Sequence, residues 1–323
     1  MAAEKNKEKS ETKPLLKDAP PPWHAVALMG VLLGVFVAIF PSLESIDEVA
    51  TIETFTHRIF PDLISLRTLG FIRLAIALLI WETSHFTIFR SNGWTINGTY
   101  ATVSKLKRTR FQLKGWKTLA TFTHWSWIML GLSFSLSAAI ALDISFGLEH
   151  HVSKPMLRAA LICFEIAAPL SFLVSAVVTH AIWPRVVKQN GDLTDLMHPR
   201  TLLMHNANIF FSLTEVAFLG GLPVRFADIA LAPLFGVVYV IFTWSMRKAW
   251  VPVEKEGPQF IYHFMDTTVG LATTIALAVL LVVLMVSYSC FAQMHQVLYM
   301  LGGGLLVHTL GVAFFCGLLC RVQ

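Results

Sequence analysis

The sequence predicts an all-α fold: a polytopic membrane helix bundle of about eight transmembrane helices. Three observations carry that prediction. Of the 323 residues, 55% are hydrophobic and only 14% charged, and the mean hydropathy is +0.64, which leaves too little polar surface for a water-soluble domain. Apolar runs of roughly 17–25 residues, the length a helix needs to cross about 30 Å of hydrocarbon, recur along the chain. The Lys and Arg residues sit in the short segments between those runs and alternate between rich and poor segments.

Residues 1–23 are polar, rich in Lys and Glu, and end in Ala19-Pro-Pro-Pro22, the composition of a disordered cytosolic tail. A signal peptide is not expected, because the apolar run starts late and no small-residue cleavage site follows it. Residues 24–323 then form an integral membrane helical domain, with spans beginning near His24, Leu69, Thr118, Met156, Thr201, Ala227, Phe260 and Val297. The first is short and ends at Pro41. The seventh, about 260–290, is overlong, so its first turns lie in the interface or the helix tilts. Gly302-Gly-Gly304 in the last run reads as a close-packing or bending site.

Charge orients the bundle. Nineteen of the 25 Lys and Arg residues fall in the N-terminal tail, in the connections after the second, fourth and sixth spans, and at Arg321, with seven between the second and third spans alone. The positive-inside rule then places both termini in the cytosol of a multi-pass protein of the endoplasmic reticulum or plasma membrane. The net charge of +5 serves orientation, and no nucleic-acid partner is implied. The sequon Asn97-Gly-Thr99 falls on the cytosolic side, where it stays unglycosylated. Cys163, Cys290, Cys316 and Cys320 lie in or beside apolar runs with no CxxC pair, which argues against a disulfide framework or a zinc site.

With this topology, scattered polar residues converge on one level. The second and fourth spans end at the cytosolic face with Glu82, His85 and His180, while the third, fifth and seventh begin there with Thr121, Thr123, His124, His205, His263 and Asp266. A Thr hydroxyl and an imidazole at equal depth on neighbouring helices are what nucleophilic catalysis requires, since the hydroxyl attacks an acyl carbon only when a base takes its proton. An intramembrane Thr ordinarily bonds the carbonyl one turn back. His124, beside Trp125 and Trp127, and His263, near Tyr262, read as residues of an interfacial belt. His150-His151 reads as solvated. Glu165 and Glu215 lie in the far halves of their spans, away from this cluster, and Glu215 reads as a structural partner of another helix.

The segments WKTLATFTHWSW (116–127), MHNANIFFSLTEV (204–216) and KAWVPVEKEGPQF (248–260) resemble the androgen-induced and androgen-dependent TFPI-regulating family of transmembrane threonine hydrolases, over roughly residues 69–290. The resemblance implies an intramembrane hydrolase that splits lipid esters joining a fatty acid to a hydroxy fatty acid, with no cofactor. It makes His205 the catalytic base, since His205 and Glu215 reproduce the family's spacing. Thr123 or Thr121 is the nucleophile, with Thr123 preferred. The first and eighth spans look like additions to this core. Asn206 and Asn208 are candidates for stabilising the oxyanion. Two other classes stay open: a haem-binding electron carrier using His85, His180 or His205, and a proton- or cation-coupled transporter using Glu82, Glu165, Glu215 and Asp266.

Overall fold

The structure is a computed structural model that describes residues 15–98, 100–106, 109–188, 193–301 and 304–321. It is mostly helical, 74% of the chain, with five helices long and apolar enough to cross a membrane. In chain order the helices are α1 (Trp23–Ala38), the short α2 (Leu43–Asp47) and α3 (Ile52–Thr56), α4 (Leu66–His85), α5 (Phe122–Ser145) and α6 (Lys154–Val177). Next come α7 (Trp183–Lys188), α8 (Thr194–Met197), α9 (Pro199–Leu202), α10 (Asn208–Ala217), α11 (Leu231–Ser245), α12 (Val253–Glu256), α13 (Leu271–Leu301) and α14 (Leu305–Leu319).

The five runs of crossing length are 66–90, 122–145, 154–188, 226–248 and 271–298. The other three apolar runs are shorter or broken. Helix α1 has 16 residues and α14 has 15, and the run from Pro199 to Ala217 is interrupted by a π-helical turn at Leu203–Ala207. The overlong seventh run resolves into 3-10 turns at His263–Met265 and Thr267–Val269, followed by α13 from Leu271. Gly304 caps the start of α14, while Gly302 and Gly303 lie outside the described residues.

Helix α6 is the most enclosed of the five, and α5, α10, α11, α13 and α14 all pack on it. Helices α4 and α5 lie against each other closely enough that a Cβ on Gly131 would come within 2.8 Å of Ile80, as small residues permit in membrane bundles. Val279, Val282, Leu306, Leu310 and Phe314 stand exposed on α13 and α14, the kind of apolar outer surface that lipid covers.

Among the described residues, the basic connection after α4 contains the one departure from an all-α fold. An antiparallel hairpin pairs β1 (Trp94–Gly98) with β2 (Thr109–Leu113), Ile96 opposite Phe111. Phe111 and Leu113 are buried, and Phe111 stacks on Trp250, so a segment of alternating character is held as strands by an aromatic platform. Thr99 of the sequon lies outside the described residues.

The tail expected over residues 1–23 is docked from Leu15 onward. Asp18 binds Arg247 at 2.9 Å and Lys248 at 2.8 Å, Ala19 is buried, and Thr267 donates to the Ala19 carbonyl. His124 is also not a belt residue, and its neighbour Trp127 shares its setting. Both are fully buried, because the 3-10 turn Gly115–Ala120 packs on the first turn of α5 and Trp127 donates to the Ile80 carbonyl.

Candidate functional site

The turn Gly115–Ala120 leads into α5 through Thr121, which is the helix cap: its hydroxyl accepts the His124 amide at 3.3 Å. Thr123 is thereby set in the first turn, and its Oγ1 lies 3.5 Å from Nε2 of His205. This is at the long limit for a hydrogen bond. The two sequence-predicted residues that meet are therefore Thr123 and His205, whereas Thr121 is engaged as a cap.

His205 is carried by the π-helical turn Leu203–Ala207. Such a turn shifts the ladder of backbone bonds by one residue and turns a side chain aside from its ordinary face. The freed backbone is stabilised from α6: Ser175 donates to the His205 carbonyl, and its hydroxyl also lies 2.9 Å from Oδ1 of Asn208. Below the turn, Glu215 anchors α10. Arg73 of α4 meets it side-on, Nε to Oε2 at 3.0 Å and Nη2 to Oε1 at 2.5 Å, with both side chains buried. Arg73 also reaches the Phe55 carbonyl at 2.6 Å, and the Gly220 amide donates to Glu215 at 3.2 Å. Glu215 thus holds helices together and takes no part in orienting the imidazole. Thr123 and His205 form a dyad, with no carboxylate bonded to the His205 ring among the described residues.

Thr123 and His205 both line a cavity of about 950 Å³, at the upper end of ordinary ligand pockets. Its walls are mainly apolar: Leu173 and Val177 of α6, Val237 of α11, Leu281 of α13, and Met29 and Leu32 of α1. Arg185, Arg200, Tyr262 and His263 supply polar edges, and no Asp or Glu lines it among the described residues. Trp94 of the hairpin lies under the Arg200 guanidinium, 5.2 Å from ring centroid to carbon. Partial desolvation, then the nearby Arg185 guanidinium, holds the His263 imidazole below its ordinary pKa.

The remaining sequence candidates are elsewhere. Asn206 is committed to the C-terminal segment, donating to the Arg321 carbonyl at 2.6 Å and accepting its amide at 3.2 Å, and Asn208 is buried with its Oδ1 accepting the Ile209 amide at 2.6 Å. His180 bonds the Leu318 carbonyl at 3.0 Å, while His85 lies beside Glu82 at 3.6 Å on an exposed face. Glu165 accepts the Arg225 amide, and Asp266 caps the turn before α13, so the four acidic candidates for a transport path lie apart from the cavity and from one another.

Sequence reasoning missed two parts of this site. Helix α1, taken as an addition, supplies cavity wall, and Tyr262, read only as a neighbour of His263, lines the cavity at the start of α5. Fold and site together describe a helical chain with five helices of membrane-crossing length, four of which line a lipid-sized apolar cavity that holds a Thr–His pair. No protein-family profile, curated protein or solved structure matches the chain.

Proposed function

We propose that this chain is an intramembrane hydrolase of lipid esters, with Thr123 as nucleophile and His205 as general base. The observation that carries the reading is the 3.5 Å approach of Thr123 Oγ1 to His205 Nε2 on the wall of the 950 Å³ apolar cavity. The resemblance of residues 116–127, 204–216 and 248–260 to transmembrane threonine hydrolases supports the same chemistry and suggests fatty acid esters of hydroxy fatty acids as substrates. The full proposal has eight membrane segments with both termini cytosolic, in the endoplasmic reticulum or plasma membrane, and substrate drawn from the cytosolic leaflet.

In the first step His205 Nε2 takes the Thr123 proton as Oγ1 bonds to the acyl carbon, and the alcohol leaves with that proton. In the second, His205 takes a proton from water, the hydroxide attacks the acyl-threonine, and the acid departs as Thr123 regains its proton. This requires the His205 tautomer with Nε2 unprotonated. The cavity walls exclude bulk water from the reacting bond and seat the acyl chain.

The test is reaction of the purified chain with a fluorophosphonate lipase probe. Labelling is expected in the native chain and absent in Thr123→Ala at equal expression. Full labelling of Thr123→Ala removes Thr123 as the nucleophile.

A further inference from the structure

Acyl transfer passes through a tetrahedral intermediate whose oxygen carries negative charge, and donors aimed at that oxygen supply much of the rate. Asn206 and Asn208 sit nearest in sequence to His205, but neither lines the cavity, and Asn206 gives its amide N–H to the Arg321 carbonyl. The donors must come from elsewhere on the cavity wall.

We propose that Tyr262 is a catalytic oxyanion donor, its phenolic O–H acting together with the backbone N–H of Thr123; the proposal rests on the Thr123–His205 reading. The Tyr262 oxygen accepts the Phe122 amide at 3.2 Å, which places the hydroxyl at the open end of α5, one residue from the nucleophile. That bond occupies a lone pair, and the Tyr262 proton faces the neutral Tyr239 oxygen, an acceptor that a charged oxyanion outcompetes. Neighbouring Tyr239 differs, because its hydroxyl donates to the Ala120 carbonyl at 2.8 Å.

The amides of the first turn are divided in the same way. Phe122 N–H goes to Tyr262 and His124 N–H to the Thr121 hydroxyl, while Thr123 N–H makes no hydrogen bond among the described residues. First-turn amides have no partner within their helix and face its open end, where the Tyr262 hydroxyl meets the Phe122 amide, so in the proposed arrangement the Thr123 amide and the phenol share one acceptor there. The Tyr262 ring is held by stacking on Phe264, centroids 5.2 Å apart and planes 8° from parallel, so the hydroxyl is oriented before substrate arrives.

The step balances as follows. Oγ1 of Thr123 bonds to the acyl carbon as its proton passes to His205 Nε2, and the carbonyl π pair moves onto oxygen. That oxyanion accepts hydrogen bonds from Tyr262 and the Thr123 amide. When the pair returns, the ester C–O bond breaks and the alkoxide takes the proton from His205.

The experiment uses the full chain in lipid nanodiscs, p-nitrophenyl decanoate as substrate, and a decyl trifluoromethyl ketone as a mimic of the tetrahedral state. For Tyr262→Phe, kcat is expected to fall about 10²–10³-fold with KM within about twofold of the native value, and the ketone to bind correspondingly more weakly. Native kcat and ketone affinity in Tyr262→Phe, with Thr123→Ala inactive, would overturn the Tyr262 role and leave the dyad intact, as would a loss confined to KM. Full turnover by Thr123→Ala, or no turnover by the native chain, overturns the hydrolase reading and this proposal with it. If Tyr262→Phe does not fold, 3,5-difluorotyrosine at position 262 keeps the shape and acidifies the phenol. The alkaline limb of kcat should then move toward neutral pH, and an unmoved limb overturns the proposal.

Discussion

At the scale of single residues, Thr123 and His205 have different neighbours from the polar residues around them. Thr121 lies two positions from Thr123, yet its hydroxyl caps α5. Thr121→Ala should therefore lower stability by about 0.5–2 kcal/mol, the usual loss for an N-cap, while leaving probe labelling in place. His205→Ala should lower ester turnover by about 10²–10⁴-fold, the range for removing a general base, as measured on the purified protein. Activity of the native chain should also fall on the acid side as the imidazole protonates, since a protonated His205 cannot accept the Thr123 proton. The pairing was legible in sequence because both residues lie in the first turns of apolar runs. Tyr262 was not, because a side chain between two spans can reach the start of α5 only once α11 and α13 are packed.

At the scale of elements, two contacts hold the site. The first is the buried Arg73–Glu215 pair between α4 and α10. Removing one partner strands the other charge away from water, so Glu215→Ala should cost about 3–5 kcal/mol in thermal or denaturant unfolding in detergent. The pair tolerates no bulk beside it: a Cβ on Gly220 would lie 2.0 Å from Arg73 Nη2 and 2.7 Å from Glu215 Oε1.

The second contact is the docked segment before α1. Hydrogen bonding to Arg247 above all, with Lys248 also contributing, lowers the Asp18 carboxyl from 3.8 to about 2. A depressed carboxylate stabilises docking above its unfolded pKa and loses that effect as pH falls through its folded one. A spin label at Lys17→Cys should thus stay immobile down to about pH 4 and gain mobility as pH falls toward about 2. Asp18 is 38% exposed, so the effect is modest and weakens with salt.

At the scale of the whole molecule, the first and last long helical segments among the described residues close on the site. Helix α1 covers the cavity between α11 and α13. The C-terminal residues bond the π-helical turns Val178–Ile182 and Leu203–Ala207, Thr179 donating to the Leu319 carbonyl and Asn206 to the Arg321 carbonyl. Orientation in the membrane is a matter of charge: with seven Lys and Arg residues between α4 and α5, Gly98→Cys should be labelled by an impermeant thiol reagent only from the cytosolic side. Labelling from the opposite side would overturn the proposed topology.

Composition and the spacing of apolar runs by themselves determined that the chain is helical, with segments of membrane length, because backbone groups in hydrocarbon must bond within their own segment. The same patterns set Thr123, His205 and Glu215 at particular distances along their helical runs, since rise follows from residue count along a helix. Tertiary structure decided the rest: which helices reach crossing length, the hairpin inside the basic loop, the burial of His124, the pairing of Glu215 with Arg73, and the place of Tyr262 beside Thr123. Each depends on contacts between segments far apart in the chain, and residue count along one segment carries no information about its neighbours.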